Sequence, residues 1–199
     1  MTKGVLAQMI VKPTADGLMA QVRDTARRGP PPVHLWNPPF CGDIDIRIAR
    51  DGTWFYLGTP IGRAPLVKLF SSILKLEDDQ YYLVTPVEKV RIRVDDTPLH
   101  AIDFSATGTG PDQILHFTTK TDDEVDADAA HPLNFRLNPE TGEPAPTIHV
   151  RAGLNALIDR KSFYRLIELG CHKPHDRDSW FGLWSHGQFF PILRSAELP

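Results

Sequence analysis

The chain has 199 residues, of which 41% are hydrophobic and 24% are charged, with a formal net charge of −3. These values are typical of globular proteins and exclude disordered and fibrous classes. The negative charge argues against general nucleic-acid binding, because neutralising phosphates requires a basic face. No stretch approaches the ~20 apolar residues that cross a bilayer, and the N-terminus lacks the apolar segment of a signal peptide. We therefore expect a cytoplasmic protein without nucleic-acid or membrane partners.

The first 32 residues predict a helix and a stiff connector. Apolar residues recur with helical spacing from Leu18 to Val22, after a cap at Thr14 or Asp16. This pattern predicts an amphipathic helix over 14–28. The GPPP run that follows cannot continue a helix, and we expect it to be extended.

A hairpin and a second helix are predicted next. The stretch DIDIRI at 43–48 alternates polar and apolar residues, ARDG has turn chemistry, and the aromatic-rich stretch at 53–57 favours a returning strand. GTPIGR is expected to interrupt the sheet. Pro65 suits the first turn of a helix, and an apolar stripe runs from Leu66 to Leu74.

The remainder of the chain predicts a strand-rich half with one more helix. Strands are expected at 81–85, 90–94, 99–104, 114–119 and 147–151. The acidic run at 121–128 is expected to loop into solvent, and apolar residues at 154–169 predict a helix. The ending SWFGLWSHGQFFPIL predicts an aromatic hairpin with Ser-His-Gly at its turn.

The sequences around the second and third predicted helices resemble each other. Gly62 to Leu69 resembles Asp159 to Leu166, and each helix precedes a polar turn and an aromatic strand. We predict an α+β fold of two tandem strand-rich repeats, each covered by one helix, after an N-terminal helix. The expected divisions are 1–32 for the helix and Pro-rich connector, 33–97 for the first repeat and 98–199 for the second.

Candidates for catalysis or metal binding are incomplete. Cys41 lies near two aspartates, but thiol catalysis needs a base, and the nearest histidine in sequence is His34. The alternative interpretation of Cys41 is a small buried residue at a strand entry. Metal-capable side chains occur together at Cys171, His172, His175, Asp176 and His186. Their spacing matches no common zinc motif, and Lys173-Pro174 within the run suggests an exposed loop. Neither a calcium loop nor a phosphate-binding glycine motif is present. We therefore expect no catalytic residue, metal or cofactor.

Basic residues at strand ends and at a helix start favour an anion-binding site. Arg63 directly precedes a helix, where free backbone N–H groups attract a phosphate or carboxylate, and tryptophans could stack on a planar group. The alternative is that the arginines pair with Asp43 and Asp45 while the tryptophans fill the core. The predicted ligand-binding residues are Trp36, Asp43, Arg47, Trp54, Arg63, Lys89 and Trp184.

PPVHLWNPPFCGDIDIRIARDGTWFYLGTPIGR, together with VTPVEKVRIRVDD and TDDEVDADAAHPLNF, resembles the bacterial family called domain of unknown function 1285. The resemblance runs from about Pro30 to Phe190. It implies a duplicated α+β core, a C-terminal half like a pleckstrin-homology fold, and a cleft between the halves for a nucleotide-like ligand in signalling. It carries no catalytic residues.

Two functions from different classes follow from these observations. The first is a non-enzymatic cytosolic binding or sensing protein for a small anionic, nucleotide-like ligand held between the repeats. The second is an interaction module that docks a protein partner through its pleckstrin-like half, motivated by the aromatic ending. An enzyme that uses Cys41 or the metal-capable cluster ranks third.

Overall fold

The computed structural model describes residues 13–26, 31–138, 141–175 and 178–197. Within these residues the three helices are α1 (Ala15–Ala26), α2 (Ala64–Ser72) and α3 (Arg160–Ile167). The first sheet consists of β1 (Phe40–Ile48), β2 (Trp54–Tyr56), β3 (Thr59–Pro60), β4 (Leu74–Glu77), β5 (Gln80–Val84) and β6 (Lys89–Val94), in the order β3-β2-β1-β6-β5-β4.

The second sheet also has six strands. They are β7 (Leu99–Thr107), β8 (Ile114–Thr119), β9 (Glu124–Asp126), β10 (Leu133–Asn134), β11 (Thr147–Arg151) and β12 (Leu154–Ile158), in the order β10-β11-β12-β7-β8-β9. A third sheet contains β13 (Cys171–His175), β14 (Asp178–Ser185) and β15 (Gln188–Arg194). The fold is therefore α+β, with two six-stranded sheets in two tandem halves, in agreement with the predicted class.

Local sequence signals account for the first helices. Thr14 caps α1, because its hydroxyl accepts a hydrogen bond from the Gly17 N–H at 3.2 Å. Residues 27–30, which include part of the predicted connector, lie outside the described residues. Arg63 occupies the N-cap of α2, and Pro65 lies in the first turn as predicted. The helix ends earlier than predicted, since Leu74 already belongs to β4.

The predicted helix over 154–169 is wrong in its first third. Leu154, Ala156 and Ile158 are buried while Asn155 is exposed, so this segment has the period of a strand. It forms β12, which pairs parallel with β7. The helix α3 begins only after Asp159, whose carboxylate accepts a hydrogen bond from the Ser162 N–H at 2.7 Å.

Three segments expected to be loops contain strands. Part of the acidic run forms β9, which pairs with β8 and places Ala127 in the core. The segment around Lys173 and Pro174 forms β13, which pairs with β14. Thr59 and Pro60, expected to interrupt the sheet, pair with β2 as the short edge strand β3.

The two halves share one hydrophobic core. Ile46 of β1 and Phe117 of β8 are fully buried in the same cluster, as is Leu18 of α1. Phe70 of α2 is also fully buried and stacks on Trp54, with ring centroids 6.4 Å apart. Burying apolar side chains of both halves together stabilises their arrangement. Among the described helices, none has the length and hydropathy needed to span a membrane.

Candidate functional site

A groove of about 920 Å³ lies between the two halves. One wall comes from α2, β4 and the turn at Val33–Leu35 in the first half. The other wall comes from the loop between β8 and β9, from His131 and from the turn between β11 and β12. Ligand sites in proteins are commonly clefts of about 300–1,000 Å³, so the groove has the size of a small-molecule site.

The lining of the groove combines apolar and charged side chains. The apolar residues are Pro31, Val33, Pro65, Leu69, Leu74, Leu76, Val125 and Val150. The charged residues are Lys68, Lys75, Arg151, Asp122, Asp123 and Glu124. Apolar lining with a few placed polar groups is the usual composition of a small-molecule site.

Arg151 connects the halves at this groove. Its guanidinium forms an ion pair with the Asp123 carboxylate and donates a second hydrogen bond to the Ser71 carbonyl at 2.8 Å. Asp123 also accepts hydrogen bonds from the hydroxyls of Thr119 and Thr121, at 3.1 and 2.9 Å. The β8–β9 loop is therefore attached to the C-terminal end of α2.

The two lysines of the groove differ in how firmly they are held. Lys68 pairs with Asp122 at 3.0 Å, and their side chains are 58% and 71% exposed. Lys75 is more enclosed, because it pairs with Glu77 at 2.7 Å and donates to the Trp36 carbonyl at 3.3 Å. Hydrogen bonds from Lys75 and then Lys89 hold the pKa of Glu77 below its usual value. Lys68 is therefore the more available cation.

A pair of stacked imidazoles borders the groove. The His131 and His149 ring centroids are 5.8 Å apart. Nε2 of His149 accepts the Gly153 N–H at 3.1 Å, so Nδ1 must carry the proton that it donates to the Ala130 carbonyl at 3.0 Å. His131 uses Nδ1 toward the His149 carbonyl at 3.2 Å. Its Nε2 has no hydrogen-bond partner among the described residues.

Three of the predicted ligand-binding residues lie along the outer face of the first sheet, each with its own ion-pair partner. Asp43, Arg47 and Lys89 lie on the adjacent strands β1 and β6. Arg91 donates two hydrogen bonds to Asp43, at 2.8 and 2.9 Å, and these lower the pKa of that carboxyl. Arg47 pairs with Asp95 at 2.7 Å. The pairing of Arg91 with Asp43 agrees with the alternative interpretation of the sequence, in which arginines pair with Asp43 and Asp45.

The other predicted residues are dispersed. Trp54 is buried in the core. Trp36 packs against the core cluster and remains partly exposed. Trp184 lies in the third sheet. Arg63 is exposed at the start of α2, and its side chain makes no ion pair within the described part of the chain. None of the seven predicted residues lines the groove.

The metal-capable cluster divides between two places. Cys171 and His172 lie on β13, and Asp176 falls outside the described residues. His186, in the turn between β14 and β15, instead contacts Asp126 at 3.2 Å, and His116 contacts the other oxygen of that carboxylate at 2.6 Å. Among the described residues, no three histidine, cysteine or acidic side chains are arranged to hold a metal.

Cys41 is a partly exposed residue at the edge of the core. Its thiol approaches the Pro39 carbonyl at 3.4 Å. The Pro39 carbonyl oxygen cannot act as the base that would activate the thiol.

Comparison with known proteins is consistent across sequence and structure. Residues 31–97 match the N-terminal domain and residues 98–192 the C-terminal domain of DUF1285, described as a domain of unknown function. A DUF1285 family protein from Silicibacter pomeroyi DSS-3 is 60% identical, with a TM-score of 0.83, over 92% of this chain and 98% of that chain. One from Shewanella baltica OS155 is 32% identical, with a TM-score of 0.49, over 62% of this chain and 90% of that chain. No curated protein matches. The chain therefore belongs to the DUF1285 family, as the sequence resemblance implied.

Proposed function

We propose that this protein is a non-enzymatic binding protein whose groove between the two halves holds a small anionic, nucleotide-like ligand. The observation that supports the proposal is the groove of about 920 Å³ with apolar walls and the cations Lys68, Lys75 and Arg151. The apolar walls suit a planar or apolar ligand body, and a cation suits a phosphate or carboxylate.

Lys68 is the cation best placed to receive the anionic group. Its pair with Asp122 is more than half exposed on both sides, and such pairs contribute about 0–1 kcal/mol. An incoming anion can therefore replace Asp122 at little cost. Arg151 is held by Asp123 and Ser71, so releasing it would cost more.

The acidic residues of the groove restrict the charge of the ligand. Asp122, Asp123 and Glu124 line the same groove as the three cations. Their charges would repel a polyphosphate more than a single phosphate, because repulsion grows with each added charge. The proposed ligand class is therefore a nucleoside monophosphate or a similar monoanionic or dianionic molecule.

Thermal-shift measurements with AMP, GMP, ATP and GTP would test the proposal. A ligand at 100 times its dissociation constant should add about 2.7 kcal/mol, which raises the melting temperature of a protein of this size by roughly 5–10 °C. We expect the monophosphates to exceed the triphosphates, and Lys68→Ala to remove the shift. Lys161→Ala, on α3, provides the matched loss of charge. No shift at millimolar nucleotide, or a shift that Lys68→Ala leaves intact, would contradict the proposal.

Arg63 provides a separate test of the sequence prediction. Because its side chain has no ion pair in the described region, Arg63→Ala should leave the melting temperature of the free protein unchanged. If the anion instead binds at the start of α2, this substitution should abolish the nucleotide shift while Lys68→Ala retains it.

The cellular part of the proposal rests on the family resemblance. We propose that ligand binding serves signal transduction in the cytoplasm, and that the C-terminal half has a pleckstrin-homology-like arrangement. A cellular reporter of ligand binding in the groove would test the signalling role. Its response is compared between cells that carry the parent protein and cells that carry Lys68→Ala. Equal responses from the two proteins would count against it.

A further inference from the structure

The third sheet presents aromatic rings and cations together on one face. We call this the aromatic face; its residues are Lys173, Trp180, Trp184, Phe189 and Arg194. Lys173 and Arg194 are both register partners of Trp180, and Trp184 is the partner of Phe189. Residues directly opposite each other share a face of the sheet, as do residues four apart on one strand. The five side chains therefore occupy the same side.

The opposite side of this sheet is committed to the core. Leu183, Ser185 and Phe190 are buried, whereas Trp180, Trp184 and Phe189 remain partly exposed. A side chain on Gly182 would meet the Phe189 ring at 2.7 Å. The absence of a side chain at that position therefore lets the Phe189 ring lie across the face, where its centroid is 5.3 Å from that of Trp184.

Both cations of the aromatic face lie on its rings. The Lys173 ammonium is 4.4 Å from the Trp184 ring centroid and 5.1 Å from that of Phe189. The Arg194 guanidinium carbon is 5.8 Å from the Trp180 centroid. A cation on a ring keeps N–H groups available for an anion, so an anionic partner could bind without removing the cation from the ring.

The charges of the aromatic face are complementary to an acidic partner. Within the described residues, Lys173 makes no ion pair with a carboxylate. Arg194 has only a loose contact with Asp178, at 3.8 Å, and both side chains are more than half exposed. The face therefore holds two cations against one weakly engaged carboxylate.

The spacing of the cations selects a conformation of the partner. Lys173 and Arg194 lie on the two outer strands with Trp180 between them, so about 10 Å separates their backbones. A polyproline II segment repeats every three residues and advances about 9 Å in that distance. Acidic side chains at positions i and i+3 match this backbone separation, and the long, flexible side chains of Lys173 and Arg194 can turn from the rings toward them. Prolines would contact the rings between the two cations, as in other aromatic-lined peptide sites.

We propose that the aromatic face docks an extended, acidic, proline-containing segment of a protein partner, with carboxylates three residues apart. This site is separate from the groove proposed above and does not depend on a ligand there. It gives the aromatic ending of the chain a defined chemical preference.

The probe is a fluorescein-labelled Glu-Pro-Pro-Glu-Pro-Pro-Glu peptide, titrated with the full-length protein in a fluorescence anisotropy experiment. We expect at least tenfold weaker binding for the matching peptide with glutamines, and for the protein with Lys173→Ala and Arg194→Ala. Removing two cations elsewhere, by Arg93→Ala and Lys161→Ala, should leave the affinity unchanged. Circular dichroism melting of each variant checks folding, and Lys173→Gln with Arg194→Gln replaces the alanine pair if that pair does not fold.

Several results would overturn the proposal. These are no binding at millimolar protein, equal binding of the glutamine peptide, or equal binding by the two charge-loss variants. A fluorescent oligothymidylate that binds more tightly than the peptide, and loses affinity in the Lys173 and Arg194 variant, would reassign the face to nucleic acid. Concentration-dependent self-association that disappears in the same variant would reassign it to a second copy of this chain.

Discussion

Replacing Arg151 by alanine should weaken the attachment between the two halves of the molecule. The guanidinium joins Asp123 of the β8–β9 loop to the carbonyl of Ser71 at the end of α2. The side chains of Arg151 and Asp123 are 32% and 23% exposed, so this pair lies between the surface and the interior. Its contribution should therefore exceed that of an exposed pair.

The expected magnitude follows from what each partner loses. Exposed ion pairs contribute about 0–1 kcal/mol, and breaking a buried pair costs about 3–5 kcal/mol. Asp123 keeps hydrogen bonds from two threonine hydroxyls, so its carboxylate is not left without donors. Ser71 loses the charged donor to its carbonyl. We expect a loss of about 2 kcal/mol in unfolding free energy, or roughly 4–8 °C in melting temperature.

Urea denaturation and calorimetry on matched variants would measure this loss. Arg151→Lys keeps the charge but cannot serve both acceptors with a planar fork, so it should recover only part of the stability. Lys68→Ala, which removes an exposed pair, should change the unfolding free energy by less than about 1 kcal/mol. A double-mutant cycle with Asp123→Asn isolates the pair. An unchanged urea midpoint for Arg151→Ala, or a cycle without coupling, would refute the reasoning.

Elements whose signals are local were predictable from the sequence. The alternation of Ile44, Ile46 and Ile48 is the burial pattern of β1, because one face of this strand meets the core. The Pro65 signal located the start of α2 to within a residue. Hairpins with strong turn chemistry, such as that between β14 and β15, were also predicted.

Elements that depend on distant partners were not predictable in the same way. Leu154, Leu157 and Ile158 fit a helical stripe, but the segment pairs with β7, whose register partners lie 57 positions earlier in the chain. Pairing with a distant strand overrides the local pattern, because it satisfies the backbone and buries alternate residues. The strand β13 was not predicted because Pro174 reduces the local strand signal.

The groove shows the same limit for a candidate site. His34, Lys68, Val125 and Arg151 belong to four separate segments, and only the packing of the halves brings them together. The basic residues predicted from the sequence lie elsewhere: Arg47 and Lys89 form ion pairs on the first sheet, with Asp95 and Glu77, and Arg63 is exposed at the start of α2. Nothing in the spacing of Arg151 along the chain distinguishes it from other surface arginines.

Two further tests concern packing and acid stability. Gly182→Ala should cost about 1–3 kcal/mol in unfolding free energy, because the new methyl group would lie 2.4 Å from a backbone carbonyl oxygen. Gly62→Ala, whose new methyl group would have no atom beyond the chain neighbours within 4 Å, should be neutral or slightly stabilising in the same urea titration. Equal losses at both positions would contradict this packing argument. The second test concerns Asp126, whose pKa is lowered chiefly by the hydrogen bond from His116. The folded protein therefore binds this proton less readily than the unfolded chain, so the interaction stabilises the fold fully above the unfolded-state pKa of about 4. That stability is lost as the pH falls through the lower folded-state pKa. Asp126→Asn removes this titration, and we expect its unfolding free energy to fall less steeply than that of the parent below pH 4, measured by urea unfolding at each pH. If the unfolding free energies of the two proteins fell equally steeply below pH 4, the His116 contact would not be what holds the carboxylate ionised.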